Sequence, residues 1–174
     1  AIRAMTKFDI SNNDLCAAGG KVLAEGLEGH SLIKELNLAG NRMGMKSTLK
    51  RDGAEMSGVT AISNAIPTMG AMTSLNIGNN SIPIENMNEI IAIVEAKPAM
   101  KILCAVPFRD KTITELDVSG KSLGVEGAVV IRRYLENNGA LTSLNISSNS
   151  LGGYLDSRSK WISDMTGIKA LAAA

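Results

Sequence analysis

Apolar residues recur along the chain in a fixed arrangement of five positions. The spacing is L-x-x-L-x-L-x-x-N-x-L, where another apolar residue can stand in place of Leu. The template fits in full four times, with its first position at residues 5, 33, 72 and 141. A fifth copy begins at residue 113 and carries Lys121 where the template has Asn. The alternation of apolar and polar residues within each copy predicts a short β-strand with one buried face.

A second apolar pattern fills the segments between the copies. Small or apolar residues lie six, ten and thirteen positions before the first template residue, for example Leu27, Leu23 and Gly20. This i, i+3, i+7 stripe predicts an amphipathic helix in each segment. The same offsets reveal a degenerate copy that begins at Met100, with a strand predicted through Leu103 and Ala105.

The repeating unit is therefore strand, turn and helix. The six copies begin at residues 5, 33, 72, 100, 113 and 141, so the commonest step is 28 residues. A 28-residue unit resembles the ribonuclease-inhibitor-like class of leucine-rich repeats, which includes the Ran GTPase-activating proteins and the sensor regions of NOD-like receptors. The run Ala96-Lys97-Pro98 before a short Leu-Cys strand resembles, in style, large leucine-rich-repeat proteins of algae and other protists.

This resemblance implies an α/β fold of the solenoid kind. We expect a leucine-rich-repeat horseshoe with a parallel β-sheet on its concave side, helices on its convex side and irregular repeats. No single repeat can bury its apolar face alone, so the stability of such a fold comes from stacking. We expect residues 1–174 to form one solenoid that belongs to a longer array, open at both ends.

Each full template copy places one asparagine in the turn that follows its strand. An amide side chain there can bond backbone groups that would otherwise be buried without partners. The sequence therefore predicts a stacked ladder formed by Asn13, Asn41, Asn80 and Asn149.

Two segments are longer than the regular unit allows. One lies between Met43 and Val59, where the step is 39 residues, and a related insertion follows Leu151. The first can be a tolerated surface loop or a basic contact loop. The second can fold Trp161 and Leu155 back over the side of the solenoid or form a contact, since Trp, Tyr and Arg are enriched at energetic hot spots of interfaces. The candidate binding residues in the two insertions are Lys46, Lys50, Arg51, Tyr154, Arg158, Lys160 and Trp161.

The step of 13 residues between Met100 and Ile113 leaves no room for a helix. Parallel strands usually need a connection of a dozen residues or more, so this one must be extended and tight. The missing ladder asparagine, at Lys121, falls in the next turn. We predict a local kink or a flattened stretch here, with Phe108 either filling the gap left by the absent helix or exposed as a contact.

Strand positions that point away from the core are small and polar, without an aromatic anchor. High-affinity protein grooves usually carry Tyr, Trp or Arg near their centre. This face is therefore typical of a weak or shape-driven binding surface, or of one that faces solvent. Its candidate binding residues are Lys7, Asp9, Glu35, Asn37, Asn76, Glu115, Asp117 and Asn145.

Net charge, apolar runs and cysteines limit the classes of partner and the location that we expect. A net charge of +1 argues against duplex nucleic acid, which usually calls for a basic stripe. We find no apolar run of the length of a membrane span, roughly 18 residues. Cys16 and Cys104 are far apart in apolar surroundings, which indicates two free, buried thiols and favours an intracellular location, cytoplasmic or organellar.

Residue arrangements typical of catalysis are missing from the sequence. The single histidine, His30, stands in a loop without a nucleophile nearby, and no Cys or His spacing suggests zinc. We therefore expect no enzyme, no cofactor and no metal, but a protein–protein interaction or scaffolding module with one or more protein partners. Two alternatives stay open: an architectural subunit docked permanently in a larger multi-protein assembly, and an accessory protein of the GTPase-activating kind.

Overall fold

A computed structural model describes residues 4–46, 54–155 and 161–173. Short strands and longer helices alternate along most of this chain, as the template requires. In chain order the elements are β1 (Lys7–Asp9), α1 (Cys16–Leu27), β2 (Glu35–Asn37), α2 (Ser57–Ala65), β3 (Ser74–Asn76), α3 (Ile84–Ala96), β4 (Ile102–Leu103), β5 (Glu115–Asp117), α4 (Gly124–Leu135), β6 (Ser143–Asn145), β7 (Gly153–Leu155), β8 (Trp161–Ser163) and α5 (Thr166–Ala172).

The strands that follow the template pair in parallel. Strands β1, β2, β3 and β4 form one sheet in that order, and β5 and β6 form a second. Equal template positions lie opposite each other, so that Phe8 pairs with Leu36 and Leu36 pairs with Leu75. The structure is thus an α/β fold of leucine-rich-repeat type, with its parallel strands in the predicted positions.

The core lies between these strands and the helices. Strand positions such as Leu38 and Leu75 are fully buried, and so are helix-stripe positions such as Ile62 and Val94. Because each strand has only two or three residues, it is stable only when its neighbours cover both edges and the helix covers one face. Sequence periodicity therefore sets both the strands and the helix faces.

The turn after each template strand follows one backbone course. Residues on both sides of the ladder position adopt positive φ values, as Gly40 (71°) and Arg42 (54°) do around Asn41. The same alternation occurs at Asn79 and Ser81, around Asn80. Left-handed backbone is unfavourable for most residues, so these turns need partners for their buried polar groups to hold their shape.

The 13-residue repeat departs from the prediction in one respect. Strand β4 ends at Leu103, because Cys104 and Ala105 adopt positive φ values of 47° and 61° and turn the chain away. The predicted continuation of this strand through Ala105 is therefore wrong. Among the described residues, no ladder joins β4 to β5, so the sheet is interrupted at the place where a kink was predicted.

Side chains of the connection from β4 to β5 tie it to the helices. Arg109 donates hydrogen bonds to the carbonyl oxygens of Met100 (2.6 Å), Glu95 (2.8 Å) and Lys97 (3.0 Å), at the end of α3. Phe108 packs half-buried against the core, and the Arg109 guanidinium lies 5.0 Å from the centre of its ring. The side chains of this connection thus contact the core and the end of α3.

Candidate functional site

The ladder asparagines join neighbouring turns through their side-chain oxygens. The Asn41 Oδ1 accepts the backbone N–H of Asn13 at 2.9 Å. The Asn80 Oδ1 accepts the N–H groups of Asn41 (3.0 Å) and Met43 (3.2 Å) in the preceding turn. The Asn149 Oδ1 likewise accepts the N–H of Lys121 at 2.8 Å. Each turn is therefore held by an acceptor from the next repeat.

The side-chain nitrogens of the same residues hold carbonyl oxygens. The Asn80 Nδ2 donates to the carbonyls of Leu38 and Ile77 at 2.9 Å and of Gly78 at 3.1 Å. Its side chain is fully buried, as is that of Asn41, whereas Asn13 is exposed and donates only to carbonyls of its own turn. A buried ladder asparagine thus bonds two successive turns through the oxygen and the nitrogen of its amide.

At the turn after β3, a carboxylate takes the place of the amide oxygen. Glu126, in the first turn of α4, accepts the N–H of Asn80 (2.9 Å) and of Ile82 (2.8 Å) at Oε1. Its Oε2 accepts the N–H of Asn79 at 3.0 Å. The N–H groups of Asn80 and Ile82 correspond to those of Asn41 and Met43, which bond to Asn80 one repeat earlier. The N–H of Asn79 is an additional donor.

Glu126 is buried, with 2% of its surface exposed. Burial raises the pKa of this carboxyl above its usual value, and the bonds from the N–H groups of Ile82, Asn80 and Asn79 oppose the rise. No cation reaches the carboxylate among the described residues, so backbone N–H groups alone stabilise its charge.

Polar residues of the strand face bond one another across repeats. The Lys7 ammonium lies 2.8 Å from the Glu35 carboxylate, and the Asn37 Nδ2 donates to Asp9 at 2.9 Å. The Asn145 Nδ2 donates in the same way to Asp117, at 3.1 Å. Since these groups already have partners, part of the hydrogen-bonding capacity of this face is used within the protein.

The two aspartates of this face also close the turns that follow their strands. The Asp9 carboxylate accepts bonds from the hydroxyl and backbone N–H of Ser11, and Asp117 accepts the N–H of Ser119. Hydrogen bonds from the side chains of Ser11 and Ser119, and then from their backbone N–H groups, lower the pKa of both aspartates below the usual value. Asn76 donates instead to the carbonyl of Lys121, at 3.3 Å, which joins β3 to the turn after β5.

A groove of about 500 Å³ lies beside Glu126, and both insertions border it. Met45 and Ala54 line it from the first insertion, and Gly153 and Asp164 line it from the second. Between them lie the turn after β3 and the first residues of α3 and α4. The apolar lining consists of Met45, Ala54, Ile82, Pro83, Ile84 and Val125.

Charged side chains in the described lining are all acidic, namely Glu85, Glu126 and Asp164. Each stands at the beginning of a helix, where a negative charge interacts favourably with the helix dipole. Asp164 accepts the N–H of Thr166 at 2.9 Å, at the start of α5. A volume of this size suits a few side chains of a bound segment. The apolar walls would contact these side chains, and the acidic groups would lie at the edge.

The candidate residues of the insertions lie partly outside the described chain. Lys46 is exposed next to Met45, whereas Lys50, Arg51, Arg158 and Lys160 lie outside the described residues. Tyr154 and Trp161 belong to β7 and β8, which pair antiparallel. The second insertion therefore contains a two-stranded hairpin.

The described residues include no group of three or more His, Cys, Asp or Glu side chains placed to hold a metal ion. No helix in the described part of the chain is long and apolar enough to span a bilayer. The groove itself offers apolar walls, carboxylates and helix starts, which suit noncovalent binding.

Sequence reasoning missed Glu126 and the groove walls around it. A signal was available, because the repeat that lacks the ladder asparagine, at Lys121, carries a carboxylate five residues later, before Gly127. The corresponding helix position is Ala18 in the first repeat and Ser57 in the second. The missing asparagine and the added carboxylate occur in the same repeat, which indicates that the carboxylate compensates for the asparagine. A template that treats each position separately does not detect this.

Comparison with known proteins gives distant similarity only. No protein-family model matches the chain. The chain is 27% identical over 137 residues to Protein CARMIL of Dictyostelium discoideum. This match covers 79% of the chain and 12% of that protein, so the chain spans a small part of its curated relative. Among solved structures, a tropomodulin C-terminal domain from Caenorhabditis elegans is similar with a TM-score of 0.49 and 16% identity, covering 97% of this chain and 83% of that one.

Proposed function

We propose that this chain is a protein–protein interaction module that binds its partner in the groove between the two insertions. One observation carries the proposal: segments far apart in sequence, at Met45 and at Asp164, line the same groove. The insertions are the longest departures from the repeat, and surface segments of this kind commonly carry binding residues. The basic and aromatic candidates of the sequence, from Lys46 to Trp161, belong to the same two insertions.

The strand face is the weaker candidate for the contact surface. Its charged and amide groups largely bond each other or the following turns, as Lys7 does with Glu35 and Asn37 with Asp9. A partner would have to compete with those bonds, which lowers the net gain of each new hydrogen bond. Apolar groove walls such as Ile84 and Val125 have no comparable internal competitor.

We also propose a fold class and a location for this module. We place it in a single leucine-rich-repeat solenoid of horseshoe form, of the ribonuclease-inhibitor-like class, within a longer array. Its work is intracellular and noncatalytic. A permanent place in a larger assembly is the alternative that the test below distinguishes.

A photo-crosslinking experiment tests the contact surface. A benzophenone amino acid is placed at Ile84, in the groove, or at Glu115, on the strand face, and the chain is expressed in its native source. We expect one neighbouring protein to be crosslinked from position 84 and absent from position 115. Crosslinks from position 115 alone would overturn the proposal.

Two variants with an added charge test the contact surface in a second way. Val125→Arg places a long charged side chain in the groove, and Glu115→Arg adds the same side chain to the strand face. We expect the first variant alone to lose the neighbour. Neighbours present in equal amounts with the chain, and retained by both variants, would indicate a permanent subunit that docks elsewhere.

A further inference from the structure

The hydrogen bonds between successive turns connect the repeat of β3 directly to the repeat of β5. Gly78 lies so close to the later turn that a Cβ atom there would stand 2.6 Å from the carbonyl oxygens of Ser122 and Leu123. Strand β4 lies next to β3 in the sheet but supplies no turn of this kind. The β3 turn must therefore find its acceptor two strands away.

Lys121 does not provide that acceptor, although it occupies the ladder position of its repeat. Its N–H is bonded to Asn149 and its carbonyl accepts from Asn76. The first turn of α4 fills the place instead. Gly124 makes this approach possible, because a Cβ atom there would lie 2.8 Å from the Asn79 nitrogen.

We propose that Glu126 is the positioning residue of the groove, acting as a substitute for the ladder asparagine and fixing the distance between the two groove walls. One wall is the segment from Asn79 to Glu85 and the other is the start of α4. The three N–H bonds to Glu126 join these walls directly. The relevance to binding rests on the proposed function, while the positioning role stands on the geometry.

Glu suits this place better than Asn would. Two carboxylate oxygens accept bonds without carrying a hydrogen, so Asn79 can be bonded as well as Asn80 and Ile82. An amide would offer one acceptor and a nitrogen that itself donates. The longer side chain also allows the acceptor to come from a helix rather than from the turn.

Amide exchange measured by NMR on the whole chain tests this role without any partner. In Glu126→Ala we expect the amides of Asn79, Asn80 and Ile82 to exchange roughly 10- to 100-fold faster, as loss of bonds to a charged acceptor predicts. The amides of Asn41 and Met43, held by Asn80, serve as the internal reference.

Glu126→Gln keeps the size of the side chain and one acceptor oxygen. We expect it to preserve protection at Asn80 and Ile82 and to lose it at Asn79, which then faces an NH₂ group. Equal acceleration of all five amides in both variants, or no change at any of them, would overturn the proposal. The Gln variant also keeps the test valid if the Ala variant does not fold.

The groove is read out separately, in the crosslinking experiment from position 84. Both variants at 126 are compared with Tyr134→Phe, a change at the other end of α4. Altered exchange with unchanged crosslinking would show that Glu126 holds the turn without positioning the groove for the partner, which would refute this proposal and leave the proposed function in place. The expected exchange pattern without any crosslink from position 84 in the wild type would refute the proposed function alone.

Discussion

The hydroxyl of Tyr134 donates a hydrogen bond to the backbone carbonyl of Asp110 over 2.9 Å. Tyr134 is fully buried, the Asn138 side chain lies 2.5 Å from its oxygen, and the Lys111 ammonium lies 4.9 Å from its ring centre. This contact holds the connection from β4 to β5 against α4. The connection contains no helix or strand, so such side-chain bonds replace regular structure there.

We expect Tyr134→Phe to lower the free energy of unfolding by about 1–3 kcal/mol, because the Asp110 carbonyl and the buried Asn138 amide lose a partner. Urea unfolding of the two proteins measures the difference. Tyr134→Leu should cost more, since the ring itself is lost from the core. Equal stability of wild type and the Phe variant would contradict the importance of this bond.

Asn80→Ala should be strongly destabilising. The change removes two accepted and three donated hydrogen bonds in a fully buried place. Unsatisfied buried groups cost about 1–3 kcal/mol each, so we expect a loss of at least about 3 kcal/mol or failure to fold. Asn13→Ala is the matched control, because Asn13 is exposed, and it should cost less than about 1 kcal/mol.

Arg109→Lys should separate the shape of the guanidinium from its charge. Lysine keeps the charge but cannot present the planar fork that reaches the carbonyls of Met100, Glu95 and Lys97. We expect a loss of about 1 kcal/mol in chemical denaturation. Arg133→Lys is the control, since its ion pair with Glu95 is long, at 3.4 Å, and exposed. A similar loss in both variants would argue against the end of α3 as the relevant contact.

Gly124→Ala and Gly26→Ala should have opposite effects. Gly124 has a φ of 58° and its Cβ would collide with backbone at Asn79, so Ala there should destabilise by roughly 1–3 kcal/mol. Gly26 lies exposed in α1 with open space around it, so Ala should stabilise by about 0.5–1 kcal/mol. Thermal unfolding of both variants tests the pair, and a stabilised Gly124 variant would contradict the close approach of the two walls.

Acid should remove the contribution of the strand-face aspartates. Hydrogen bonds from Ser11 and Ser119 lower the pKa values of Asp9 and Asp117, so the folded state binds protons less readily than the unfolded state. The stability they contribute is therefore present above the unfolded value, 3.8, and is lost as the pH falls through the lowered folded values.

Asp117→Asn tests this dependence. We expect the wild type to exceed the variant in stability at pH 6, with a difference that shrinks as the pH falls below 3.8. Unfolding by urea at several pH values supplies the comparison. A difference that stays constant over the whole range would exclude a role for the ionised carboxylate.

Most of the regular structure could be predicted because it obeys a period. The spacing of Leu36, Leu38 and Asn41 fixes a strand and its turn, and the stripe before Met72 fixes the inner face of α2. Equal spacing in each copy then predicts the parallel pairing in register. These inferences depend on local pattern and on the requirement that apolar faces be covered.

Features outside the period could not be predicted in the same way. The end of β4 depends on the left-handed backbone at Cys104 and Ala105, for which neither residue type gives a signal. The hairpin of β7 and β8 lies within an insertion that the template leaves undefined. The groove depends on how segments near residues 45, 82, 125 and 164 meet, which is a property of the stacked fold.

The short strand β4 adds a layer on the strand side of the molecule but adds no turn of the ladder type. On the strand side β4 adds a strand to the sheet beside β3, whereas the turns of β3 and β5 meet directly. A full repeat in place of the 13-residue one would place one more turn, a layer of about 4.8 Å, between the two insertions. Without that layer, Met45 and Asp164 line a common groove. A short repeat can thus create a composite surface without any change in the segments that form it.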